Sequence, residues 1–457
     1  MDDARDPDGA PRNPSTGTTA LAWVDEERIM SGAQPTVPAG GRAPDLLARR
    51  PRRRIPPTFF LVPTATVLVL AGAYTGAALL WPLHNVQPTV TAAEIATVAA
   101  PETAVVWPDD GSAAVGVDGV EAVAASDDDA VPMASITKLV TALMVLDETP
   151  IELGEQGPER EITWADRYRY WEYLARGESA LDVPVDGTLT TYQLLQGMLM
   201  GSAGNYAELL TADTWPTDAE FSAAATQWLD ANGLNDIVVV DPSGISQENV
   251  ATPAALIDLG EAALDNPVLA EIVATESVEL PGAGEVENTN ELLDDGAVGL
   301  KTGTLYGDYN LLAARDIDAT DAVVTVYAVV LGQIGNDARF DEAERLLDEV
   351  VAEAETPVTL PAGTVAGSVT TLWGDSADIV TTEDVSVLAW NGASAASTPA
   401  LDLGEAAADR EDGDPAGTVS FEGPMNAQTA PLALTATITD PDGWWRLTHP
   451  LELFGLR

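Results

Sequence analysis

Ser135 and Lys138, in "MASITKLVTALMVL" (133–146), interrupt an otherwise apolar run with a hydroxyl and an amine. Three positions apart on a helix, the two side chains share a face and come within reach of each other. A lysine that has lost its proton can take the serine's and make it a nucleophile. That requires a destabilised ammonium, which burial in an apolar wall and a second nearby cation both supply. The chain contains only two lysines, against nineteen arginines. Arginine keeps its charge and cannot act as a base, so lysine at 138 is chemically informative. The other lysine, Lys301, opens "KTGT" (301–304) in a stretch that reads as a strand.

Composition removes several competing chemistries. There is no cysteine, so neither thiol catalysis nor a disulfide framework is available. The two histidines, His84 and His449, leave the main body without an imidazole, which excludes a Ser-His-Asp or Cys-His hydrolase and a histidine-ligated zinc there. The net charge is −52, and residues 1–58 carry nine basic and eight acidic side chains, so the excess acid lies beyond them. Such a surface is solvated and repels nucleic acid.

The elements that must position these groups can be read from pattern. Residues 1–58, rich in Pro, Gly, Asp and Arg, read as a disordered tail ending in "RRPRRR" (49–54). The next segment, "FFLVPTATVLVLAGAYTGAALLW" (59–81), is long and apolar enough to cross a bilayer. The five arginines before it place the tail in the cytoplasm and the rest of the chain outside. A cleaved signal peptide is the rival reading, opposed by the length of the tail. Over 86–355 an opening hairpin near 104–119, helices in the middle and two neighbouring antiparallel strands ("AVGLKTGTLYGDYNLLAAR", "DAVVTVYAVVLG") predict an α+β domain. Residues 187–212 read as a helix in two pieces joined near Gly201, and Thr252 with Pro253 opens another helix. The aromatic cluster "WADRYRYWEYLARG" (164–177) could line an insertion over the cleft but reads better as core packing, and "DPSG" (241–244) reads as a simple turn. From 356 to 457 short strands and turns predict a small β domain, with 391–416 a loose stretch.

With both motifs in hand, the sequence resembles the serine D-alanyl-D-alanine carboxypeptidases, the low-molecular-mass penicillin-binding proteins. "WPDDGSAAVG", "PMASITKLVTALMVLD", "LTTYQLLQGMLMGSAGNYAELLTA", "DPSGISQENVATPAALIDLGEAAL", "NTNELL" and "GLKTGT" fall in family order through about 100–350. The resemblance implies a penicillin-binding or β-lactamase-like transpeptidase fold, an antiparallel sheet with helices. It implies Ser135 as nucleophile, Lys138 as its base and Ser202 as a proton shuttle. It also implies that Lys301, Thr302, Gly303 and Thr304 bind the substrate's terminal carboxylate, with the Ser135 and Thr304 backbone N–H groups as oxyanion hole. Peptidoglycan stem peptides would be the substrate and β-lactams covalent inhibitors, with no metal and no cofactor.

One departure stands in the middle motif. The family pattern S-x-N becomes Ser202, Ala203, Gly204 in "SAGNYA", with Asn205 one residue late. The freedom of a glycine backbone suggests that Asn205 swings in to supply the missing amide. A β-lactamase is the competing enzyme, disfavoured because no glutamate-bearing deacylation loop follows the middle motif. A non-catalytic wall-assembly scaffold is the competing non-enzyme.

Overall fold

The computed structural model describes residues 58–319, 322–404 and 409–456. The tail expected over 1–58 and its arginine cluster lie outside these, apart from residue 58. The chain divides into two compact units, Met1–Ala71 and Gly72–Arg457. Helix α1, Thr58–Leu80, has the length and composition of a membrane span, and none of its most apolar window is buried. In the second unit, the end of this helix meets the C-terminal segment. Tyr74 donates to Leu447 O at 2.6 Å, Arg446 donates to the carbonyls of Leu79 and Trp81, and Trp81 meets Phe454 edge-on at 4.8 Å. Arg446 thereby satisfies carbonyls that a helix C-terminus leaves without partners.

The centre of the second unit is a five-stranded antiparallel sheet. Its strands are β1 (Ser112–Val117), β2 (Ala124–Ala125), β3 (Gly299–Leu305), β4 (Asp308–Ala319) and β5 (Ala322–Gln333), in the order β3-β4-β5-β1-β2. Alternation along β4 sends Leu312 and Ala314 into one core and Leu311 and Ala313 into another. A strand buried on both faces must be apolar at nearly every position, and "LLAA" and "VYAVVL" are.

The first core is helical. It holds α2 (Thr137–Glu148), α4 (Thr191–Leu199), α5 (Gly204–Thr211) and α6 (Pro253–Leu264), through Leu139, Met198, Tyr206 and Leu256. α4 and α5 are the two predicted pieces, broken across Met200–Ala203. α4 begins with a capping box in which Thr190 Oγ1 accepts from Gln193 N and Gln193 Oε1 accepts from Thr190 N, both at 3.1 Å. Thr252 caps α6 ahead of Pro253, as the sequence predicted. Against the other sheet face lies α7 (Asn336–Ala354), through Phe340, Leu346, Leu347 and Val350, joined by Trp390.

α3 (Trp164–Arg176) departs from the core-packing expectation. Trp164, Tyr168 and Trp171 are exposed, and Tyr173 is the one residue of the helix buried, at 2 % exposure.

The C-terminal β region is a seven-stranded sheet with a small core of its own around Val369, Ile379, Phe421 and Leu432. Its two outer strands, Thr89–Ala92 and Val98–Ala99, come from ahead of β1, in a stretch the sequence reading grouped with the catalytic region. Ser394–Leu401, inside the stretch expected to be loose, is an eight-residue strand held between Pro415–Glu422 and Val98–Ala99. Small residues gave it no apolar signature, and its partners supply the order.

Candidate active site

Ser135 lies in a single 3-10 turn, Ala134–Ile136, that leads into α2. Ala134 adopts a left-handed backbone, φ 53°, a conformation costly for any residue but glycine and kept only where the surroundings enforce it. The enforcement is visible. Thr137 Oγ1 donates to Ala134 O at 2.7 Å, and Asn310 Nδ2 reaches from β4 to Pro132 O at 2.9 Å. A Cβ on Gly303 would lie 2.8 Å from Met133 O, so glycine lets β3 run this close to the turn.

Lys138 is 2 % exposed, and its Nζ donates to Ser135 Oγ at 2.8 Å and to Ser243 O at 2.5 Å. Burial pulls its pKa down to about 7, against the upward pull of Asp241 and Glu178. Half the population is then neutral near physiological pH with a hydroxyl in reach. The "DPSG" segment is thus more than a turn, because it presents the second acceptor of the base. Asp241 organises it. One carboxylate oxygen accepts from Ser243 N and Gly244 N at 2.8 Å and from Ser243 Oγ at 2.6 Å; the other accepts from Ser246 N at 2.9 Å and Asn249 Nδ2 at 2.6 Å. Burial alone would raise the pKa of Asp241, but these donors hold it below the ordinary carboxylate value.

Lys301, 1 % exposed, donates to Thr302 O at 3.0 Å. Burial, then the nearby Lys138 and Arg339, push its ammonium well below the usual lysine value. Thr302 Oγ1 pairs with Thr289 Oγ1 at 2.7 Å. Thr304 Oγ1 accepts from Arg339 Nη1 at 3.1 Å, and the same nitrogen donates to Gly303 O at 3.1 Å.

A cleft of about 360 Å³ collects Ser135, Lys138, Ser202, Gly204, Thr304 and Tyr173. Ser202, between α4 and α5, is another left-handed residue, φ 54°. Four of the residues nominated from the sequence, Ser135, Lys138, Ser202 and Thr304, therefore share one cavity. Lys301, Thr302 and Gly303 continue the strand beside it. Asn205 does not take part as expected. It is 1 % exposed, its Nδ2 donates to Leu181 O at 2.8 Å, and its Oδ1 accepts from Leu181 N at 3.1 Å. Both ends of the amide are engaged with backbone, so it ties down the chain after α3 instead of reaching substrate. Nor is there vacant space at Gly204, where a Cβ would lie 2.2 Å from Tyr173 Cε1.

Sequence reasoning missed Ser243 and Arg339, and reached Tyr173 only as part of an aromatic cluster for which core packing was preferred to a place over the cleft. For Arg339 a signal existed, because it precedes Phe340 and lies four residues before Ala343 on the apolar stripe of α7, where a cation needs an acceptor. Among the described residues no cluster of three or more His, Asp or Glu could hold a metal.

A half-buried serine hydrogen-bonded to a buried lysine at the mouth of a helix, flanked by the edge strand of an antiparallel sheet, is an arrangement suited to a serine hydrolase of α+β architecture. The family model described as D-alanyl-D-alanine carboxypeptidase, Peptidase S11, matches residues 120–334. Among solved structures, a D-alanyl-D-alanine carboxypeptidase of Mycobacterium tuberculosis is similar at 25% identity, covering 55% of this chain and 96% of that one, TM-score 0.47. A D-alanyl-D-alanine carboxypeptidase of Francisella tularensis aligns at 17% identity over 75% of this chain and 96% of its own, TM-score 0.48. A mutant DD-transpeptidase of Streptomyces aligns at 21% identity over 53% and 98%, TM-score 0.47. No curated protein matches the chain.

Proposed function

We propose that this chain hydrolyses the terminal D-Ala-D-Ala bond of peptidoglycan stem peptides through an acyl-enzyme on Ser135. Neutral Lys138 takes the hydroxyl proton as Ser135 Oγ attacks the carbonyl carbon. The oxyanion forms toward the backbone N–H groups of Ser135 and Thr304. The C–N bond then breaks, and the leaving D-alanine amine receives the proton from Lys138, relayed through Ser202. Water attacks the resulting ester and regenerates Ser135. Lys301, with Thr302 and Thr304, meets the substrate's terminal carboxylate, and the arriving anion raises the proton affinity that burial had lowered. Arg339 holds Thr304 in place for this. The observation that carries the reading is the 2.8 Å contact between Lys138 Nζ and Ser135 Oγ in a cavity that depresses the lysine.

In the same reading α1 anchors the chain as a single span, with the N-terminal tail cytoplasmic and the region beyond 85 outside. The catalytic domain occupies 86–355 and the β domain 356–457, with Thr89–Ala92 and Val98–Ala99 lending strands to the latter. The support is the apolar length of α1 and the arginines at 49–54.

The test is covalent capture. The detergent-solubilised full-length chain, incubated with a fluorescent penicillin, is expected to give a labelled band that Ser135→Ala abolishes. An unlabelled wild-type protein beside a labelled family member points instead to the non-catalytic scaffold.

A further inference from the structure

Tyr173 is the unplanned member of the cleft. It comes from α3, whose Trp164, Tyr168 and Trp171 are exposed, and is itself 2 % exposed beside Ser202 and Gly204. Three contacts immobilise it. Its hydroxyl donates to Glu208 Oε1 at 2.8 Å, and Glu208 is in turn paired with Arg169 at 2.7 Å. The Arg176 guanidinium lies over its ring, 4.7 Å from the centroid, and is itself paired with Glu178 at 2.8 Å. The backbone beneath it is stapled to the start of α5, where Gly204 N donates to Ser179 O at 2.9 Å. Any side chain at 204 would enter the ring. Position 204 is therefore glycine because the ring needs the space.

We infer that Tyr173 is a specificity-determining wall of the reactive cleft, occupying the place beside Ser202 that a side chain at 204 would fill and favouring acyl donors with a flat apolar group near the reacting carbonyl. The inference rests on the acyl-enzyme reading above. The hydroxyl donates to Glu208, so what Tyr173 offers the cleft it lines is its ring. Aromatic contact of this kind is directional and rewards a second flat group.

The experiment compares acylation rate constants for benzylpenicillin, which carries an aryl amide, and 6-aminopenicillanic acid, which lacks it. Tyr173→Phe is expected to keep the ratio between the two compounds, since the ring remains, while Tyr173→Ala lowers that ratio by about three- to tenfold, the range for one aromatic contact. Gly204→Asn alone is expected to lose acylation, and Tyr173→Ala with Gly204→Asn to regain at least about tenfold of it, because the asparagine then has room. A purely structural tyrosine would alter melting temperature and leave the ratio unmoved. A folded Tyr173→Ala enzyme with an unchanged ratio, or a Gly204→Asn enzyme acylated at the wild-type rate, overturns the inference while leaving the acyl-enzyme intact. Wild-type protein acylated by neither compound overturns both.

Discussion

The pH dependence of acylation is the most direct consequence of burying Lys138. Its pKa is lowered to about 7 by desolvation, and only the neutral amine can accept the Ser135 proton. At pH 8 roughly nine in ten molecules carry the neutral base and at pH 5 roughly one in a hundred, so acylation should fall about 90-fold between them. The measurement is the second-order rate of labelling by a fluorescent penicillin from pH 5 to 9, with far-ultraviolet circular dichroism confirming the fold at each pH. Lys138→Arg should be nearly inactive and show no titration, because it keeps charge and cannot give up its proton. A wild-type profile that is flat from pH 5 to 8, or that falls as pH rises, refutes the assignment of Lys138 as base.

The same shift makes a statement about stability. The folded pKa lies below the unfolded value of 10.5, so the unfolded chain binds more protons between about 7 and 10.5, and stability rises with pH through that window. The full penalty, about 5 kcal/mol at ~1.4 kcal/mol per unit, is present below pH 7. Lys138→Met removes it but leaves Ser243 O without its partner, a loss of about 1–3 kcal/mol. The variant should therefore be the more stable protein at pH 6, and that advantage should disappear by pH 10.

Further outcomes follow from other contacts. Asp241→Ala removes the acceptor for six donors of the 241–249 loop and should cost about 3 kcal/mol in urea unfolding and reduce acylation more than about tenfold, because Ser243 O no longer holds Lys138; unchanged labelling would separate that loop from the base. Asn205→Ala should lower the melting temperature by several degrees through the two lost bonds to Leu181, yet leave the KM for a D-Ala-D-Ala peptide unchanged; a raised KM would restore Asn205 to the substrate site. Protease added outside intact cells should digest the chain beyond residue 85 and spare an epitope tag at residue 1, whereas soluble protein lacking the first 80 residues would show α1 to be a cleaved signal.

What the sequence alone determined here is what short range determines. Ser135 and Lys138 meet because three residues make one helical turn, and caps such as Thr190 with Gln193 or Thr252 with Ala255 close within four positions. The neighbouring strands β4 and β5 declared themselves by continuous apolar runs, since a strand covered on both faces has no other composition available. Tertiary structure decided everything whose partner lies far along the chain. Ser243 meets Lys138 across 105 positions, and Arg339 meets Thr304 across 35. Tyr173 fills the space over Gly204 from another helix, and Thr89–Ala92 pairs with Val365–Thr370. Asn205 shows the limit most clearly. As a side chain one residue from a motif it looked available for substrate, and only the path of the chain at Leu181 shows its amide already engaged, because a hydrogen-bonding group takes whichever partner the fold brings to it.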